Sequence, residues 1–116
     1  MSEFRGQEAL KWLTSNKNEH ALATNRFQTT ADAIEAVKRL YAAGATRVYI
    51  GVPFDEPERI QNEGGPYAAA LEVVFPREKT KQVLAVVRSL RPDAGGKVRD
   101  VIKVENRYRQ LMLWWD

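Results

Sequence analysis

The sequence predicts a mixed α+β domain in which two amphipathic helices cover one side of a four-stranded sheet, with a further helix at the N-terminus. Three observations predict it. Residues 29–44 carry a helix-period apolar stripe between a threonine cap and a glycine stop, and residues 47–52 and 67–75 alternate with period two. A second helix-period stripe over 76–91 is followed by an alternating segment at 107–115. Helical and extended patterns interleave along one chain, as they do where helices pack on a sheet.

Taken in order, Glu3 to Ser15 places Phe4, Ala9, Leu10, Trp12 and Leu13 at roughly helical spacing. So short a helix, containing Gly6, is marginal alone and has to dock on the rest. Residues 1–18 are therefore expected to form a helical extension to a single domain over 19–116. After the turn Ser15-Asn16-Lys17-Asn18, the segment His20–Phe27 reads as a first strand. Thr29 and Thr30 are N-cap residues, Asp32 suits the positive end of the helix dipole, and Ile34, Val37, Leu40 and Tyr41 form the buried stripe up to Gly44. Val48, Ile50 and Val52 share one face of the second strand.

A 14-residue connection, Pro53 to Pro66, follows with three prolines and two glycines, and long loops of this kind are often functional. Tyr67 to Phe75 is the third strand. Pro76 opens a helix through Arg91 with Val83, Leu84, Val87 and Leu90 as its stripe. Val98 to Val104 reads either as a short strand or as an irregular stretch, and Arg107 to Trp115 as the last strand, with Glu105-Asn106 placed to close a hairpin. The order after the extension is β-α-β-β-α-β, a ferredoxin-like two-layer sandwich. Right-handed crossovers would put both helices on one face and leave the other for function.

Composition narrows the chemistry. The 116 residues are 44% apolar and 28% charged, with 18 basic and 15 acidic side chains and a net charge of +3. A chain of this size buries roughly two-thirds of its unfolded surface, enough for one core. The absence of cysteine excludes disulfides, thiolate nucleophiles and cysteine-ligated metals, and His20 is the single histidine. No run approaches the length of a spanning helix and the first residues lack a signal-peptide pattern, so the expected location is the cytoplasm. The charge is segregated: +2 over residues 1–50, −4 over 51–76 and +5 over 77–116.

The candidate sites follow from that segregation. Asp55, Glu56, Glu58 and Glu63 crowd the long connection beside Arg59, but their spacing is not that of an EF-hand, and a solvated acidic loop explains them. Glu72 interrupts an apolar strand and would sit on the open sheet face, or pair there with Arg26 or Arg109 to mark a pocket. His20 with a serine and a carboxylate lacks the elbow of a hydrolase, and the glycine pairs 64–65 and 95–96 match no phosphate-binding motif. No catalytic residue, metal or cofactor is implied. Adjacent Trp114 and Trp115 must point to opposite sides of a strand, so one of them reaches the open face unless Trp12 and the first helix cover it.

The stretches Asp55-Glu56-Pro57-Glu58-Arg59-Ile60, Gly64-Gly65-Pro66-Tyr67-Ala68 and Leu111-Met112-Leu113-Trp114-Trp115-Asp116 resemble a group of small stand-alone bacterial proteins of unassigned function, over about residues 20–116. The resemblance implies a chain that acts alone or on a partner, and it transfers no activity. The leading expectation is a non-enzymatic protein-binding module, either an immunity-type, toxin-neutralising partner or a homodimer. Asp55, Glu56, Glu58, Arg59, Glu63, Tyr67, Tyr108, Trp114 and Trp115 would form the interface. Trp115→Ala or Glu58→Lys should then weaken binding more than stability. One alternative is nucleic-acid binding by the basic C-terminal third, although the first and third strands lack the aromatic signature of RNA-recognition domains. Another is a small-ligand sensor or enzyme built on Arg26, Tyr67 and Glu72.

Overall fold

In the computed structural model, which describes residues 6–54 and 56–115, four strands form one sheet: β1 (Arg47–Phe54), β2 (Tyr67–Pro76), β3 (Ile102–Lys103) and β4 (Tyr108–Trp114). The helices are α1 (Ala9–Thr14), α2 (Thr30–Ala42), α3 (Pro57–Glu63) and α4 (Thr80–Leu90). The strand order is β1-β2-β4-β3 with every neighbouring pair antiparallel. This is the α+β class the sequence predicts. The chain order α1-α2-β1-α3-β2-α4-β3-β4 is not the ferredoxin-like βαββαβ order.

The difference lies in residues 20–27, which do not form the expected first strand. Side chains claim the backbone N–H groups leading into the segment and at its first two residues, while Ala21 O and Ala23 N reach Ala68 of β2. Asn16 Oδ1 accepts from Asn18 N at 2.9 Å, Asn18 Oδ1 accepts from His20 N at 2.8 Å, and Thr30 Oγ1 accepts from Ala21 N at 2.9 Å. Short polar side chains that bond nearby backbone in this way compete directly with a sheet ladder. Leu22 makes one isolated parallel bridge to Ala68, after which Ala23 takes φ 41° and Phe27 N turns back to Ala23 O. With no strand between them, β2 and β4 pair with each other, Leu71 opposite Leu113 and Val73 opposite Leu111.

The helices begin and end where the chain supplies caps. Glu8 accepts from Lys11 N and Leu10 N at the start of α1, and Thr29 Oγ1 accepts from Asp32 N at the start of α2. Gly44 follows α2 with φ 117°, a conformation only glycine adopts freely. The connection expected as an irregular loop contains α3, which has Pro57 at its first turn and Gly64 as a left-handed C-cap. Gln7 and Glu8, just ahead of α1, lie along the outer edge of β1, where Ile50 N donates to Gln7 O at 2.8 Å and Glu8 bridges Tyr49. That edge is therefore partly closed.

The core lies on one side of the sheet. Val48, Ile50, Leu71, Val73, Phe75, Leu111 and Leu113 meet Ala9, Trp12 and Leu13 of α1, Ala33, Ala36, Val37 and Leu40 of α2, and Val83, Leu84, Val87 and Leu90 of α4. Each fully buried Val, Leu or Phe contributes about 1.5–3 kcal/mol by leaving water. At the far end, β3 returns to β4 through a tight turn in which Glu105 and Tyr108 exchange backbone bonds around Asn106-Arg107, one residue beyond the expected position. Arg109 Nη1 secures that turn through the carbonyls of Glu105, Asn106 and Tyr108.

Candidate functional site: the uncovered sheet face

Strand alternation assigns the second face of the sheet. Three rows cross it: Gly51, Ala70 and Trp114; Tyr49, Glu72 and Met112; Arg47, Val74, Gln110 and Ile102. None of the residues in these rows belongs to the core cluster that the helices complete. Met112 and Ile102 are 39% and 57% exposed, whereas Ala70 and Val74 are buried, and Met112 Sδ and Ala70 Cβ close over Gly51. Gly51 makes this close cover possible. A Cβ there would stand 3.2 Å from Ala70 Cβ and 3.3 Å from Met112 Sδ, so the thioether lies across a strip where β1 has no side chain. Beside it, Val52 takes φ 50°, a strained state for a β-branched residue and one that occurs preferentially where backbone serves a site.

The two tryptophans part as alternation requires. Trp115 is 2% exposed inside the core, its Nε1 donates to Leu90 O at 2.9 Å, and its ring meets Phe27 edge-on at 5.1 Å. Trp114 is half-buried in the open-face row, and its backbone pairs with Ala94. Trp12 belongs to the helix-side core. Trp115, named above for an interface, fills the interior of the chain, so its truncation acts first on stability.

The residues named for a sheet-face pocket are dispersed. Arg26 donates from Nε to Leu90 O at 2.9 Å and from Nη2 to Ser89 O at 3.0 Å, at the C-terminus of α4. Arg109 is in register with Phe75, on the helix side, and holds the β3–β4 turn. Glu72 alone of the three belongs to the open face. Tyr67 is half-buried at the start of β2 and its hydroxyl accepts from Thr24 N, while Tyr108 is half-buried at the start of β4. Glu56, Glu58 and Glu63 are exposed on and beside α3, with Arg59 in the same helix. Asp55, together with Phe4 and Asp116, lies outside the described residues.

Charged side chains stand at both ends of the strands. At one end of the sheet, α3 and its flanks carry Glu56, Glu58 and Glu63 between β1 and β2. At the other end stand Arg47, Arg77, Lys79, Lys103, Arg107 and Arg109, against Glu78 and Glu105. The acidic block thus gathers at one end, whereas the basic block is divided: α4 carries Arg88 and Arg91 back to the Trp114–Trp115 end, and Lys103 and Arg109 share register with Phe75 on the helix side, leaving Arg47 as the open-face cation of the other end.

On the outer edge of β1, Tyr41 Oη donates to Glu8 Oε2 at 2.6 Å and accepts from Val48 N at 3.1 Å. Burial, then the neighbouring carboxylate, pushes the Tyr41 phenol up to about 12. For Glu8, burial works upward, but the bonds from Tyr41, Lys11 N and Leu10 N hold its carboxyl below the usual range. One carboxylate thereby ties α1, α2 and β1 together.

Among the described residues no group of three or more His, Asp or Glu is placed to hold a metal ion, and no helix is long and apolar enough to cross a membrane. Comparison with family models, curated proteins and solved structures finds no match to this chain.

Proposed function

We propose that this chain is a protein-binding module rather than an enzyme, and that the occupant of its uncovered sheet face is a second copy of the chain. The observation that carries this reading is the exposure of Met112 and Ile102 on a sheet face whose rows contribute nothing to the core cluster completed by the helices, with Arg47 at one end of that face and the glutamates of α3 at the other. An exposed apolar patch rimmed by polar groups is the surface that association buries. Stacking two such faces with their strands antiparallel brings the α3 glutamates of each copy toward Arg47 of the other. A two-fold axis across the strands satisfies both contacts at once, as a self-complementary interface requires. Stacking with the strands parallel would set Arg47 against Arg47 and α3 against α3. The dispersal of Arg26, Glu72 and Arg109 argues against a catalytic pocket on this face.

Light scattering after size exclusion tests the reading. A mass near twice the 13.2 kDa of the chain is expected, with dissociation by Met112→Lys and weakening at high salt. A monomer at every concentration up to about 0.5 mM, where even weak self-association shows, overturns it; so does a dimer that Met112→Lys and Ile102→Lys both leave intact. An immunity-type partner of different sequence would leave the isolated chain monomeric and fall under the first of these outcomes.

A further inference from the structure

Away from the sheet face, a groove of about 570 Å³ runs between the last turns of α4 and the 91–100 segment. Four cationic side chains line it: Arg88 from α4, Arg91 just beyond it, and Lys97 and Arg99 from the short 3₁₀ turn. All four are exposed, and among the described residues none has an ion-pair partner. The carboxylates on the lining are Asp93 and Asp100, so the groove holds a net +2 of the chain's +3. Asp100 is engaged within the segment, its Oδ2 accepting from Lys97 N at 3.0 Å.

A helix C-terminus ordinarily repels anions, because its last carbonyls carry partial negative charge. Here those carbonyls are occupied. Ser89 O accepts from Arg26 Nη2, and Leu90 O accepts from both Arg26 Nε and Trp115 Nε1. Three guanidinium groups and an ammonium around a hollow of this size suit phosphate oxygens, which arginine grips with two donors at once. The rest of the lining is apolar. Leu84 and Pro92 contribute to it, and Val98, 68% exposed, is the most exposed large apolar side chain among the described residues. A purely ionic surface would give Val98 nothing to do.

We propose that this groove binds a phosphorylated organic molecule of mononucleotide size, its phosphates on Arg88, Arg91, Lys97 and Arg99 and its flat apolar part against Pro92 and Val98. The volume lies in the range of small-ligand sites. Gly95 and Gly96 shape the wall: a Cβ on Gly96 would press on Pro92 Cγ at 2.5 Å, so glycine keeps the 91–97 segment folded tightly behind the groove.

Isothermal titration of the full chain at low salt tests this, with adenosine triphosphate, adenosine and a ten-nucleotide single strand as probes. Saturable binding of the triphosphate is expected, with adenosine silent and the dissociation constant raised about tenfold or more in Lys97→Glu/Arg99→Glu, as loss of charge-assisted bonds requires. If that double variant does not fold, Arg88→Gln on the exposed side of α4 replaces it with the same expectation. No heat from the triphosphate up to about 1 mM overturns the proposal, as does an affinity that the folded variants leave unchanged. Binding of the single strand without binding of the triphosphate also overturns it, because the cations would then follow a polymer backbone. None of these outcomes depends on self-association, since the groove contains no residue of the three open-face rows.

Discussion

Asn18 is the residue whose loss should show most clearly why residues 16–30 fold as they do. It is 1% exposed, its Oδ1 accepts from His20 N at 2.8 Å, and its Nδ2 donates to Gly65 O at 3.2 Å and to Glu63 Oε1 at 3.4 Å. Asn18→Ala removes both partners at once. Gly65 O is left buried without a donor, which costs about 1–3 kcal/mol, and the partly buried His20 N–H loses a bond worth about 1 kcal/mol. The sum is roughly 2–4 kcal/mol, or a fall in Tm of about 10 °C for a domain of this length. Urea unfolding followed by tryptophan fluorescence reads it directly. Asn18→Asp keeps the acceptor but turns Nδ2 into a second oxygen facing Glu63 and Gly65 O. That variant should be at its least stable at neutral pH and should recover on acidification, when its carboxyl can donate. A loss below about 0.5 kcal/mol in Asn18→Ala would refute the claim that these side chains, rather than strand pairing, hold the segment.

Other expectations follow from single contacts. Trp115→Phe should cost about 2 kcal/mol in urea unfolding, because Leu90 O loses the indole donor and the ring contact with Phe27 changes shape. The folded-state pKa of Tyr41 is raised, so its contribution to stability is full below about 10 and is lost as pH climbs toward about 12. Tyr41→Phe should therefore flatten the alkaline limb of a Tm-against-pH curve. Glu8, with its carboxyl held low, contributes above the ordinary carboxylate range and is lost as pH falls through its folded value, so Glu8→Gln should flatten the acid limb. Gly95→Ala should destabilise by about 2 kcal/mol or more, since a Cβ at φ 88° would overlap Met112 O, and the change should appear first as loss of amide protection at Trp114.

Much of the fold was legible because its signals are local. Thr29 and Gly44 bracket α2, the period-two pattern fixes β1, β2 and β4 to within a residue or two, and alternation alone sends Trp114 and Trp115 to opposite faces. Pro57, Glu58 and Gly64 also announced α3, but three prolines in fourteen residues made a loop the simpler reading. The segment 20–27 was not legible. Its apolar pattern is compatible with a strand, and what prevents one is a set of bonds from Asn16 and Asn18 to Gly65 and Pro66, some fifty residues away. The role of Arg26 was hidden for the same reason: it caps α4 only because its own segment curls instead of extending.

That curl has a consequence for the sheet. A first strand inserted between β2 and β4 would separate the acidic β1–β2 connection from the basic C-terminal strand by a full strand width. Its absence puts Ala70 directly against Trp114 and Glu72 against Met112, so the rows of the open face run without interruption from β1 through β4. The turn from β1 to β2 leaves the sheet at one end with Glu56, Glu58 and Glu63, while Arg47 and the β3–β4 turn lie at the other. The seven residues of β4 set the length of that face, which keeps the α3 glutamates and Arg47 about 20 Å apart within one chain. Under the proposed two-fold stacking, a second molecule turned end for end would bring them together.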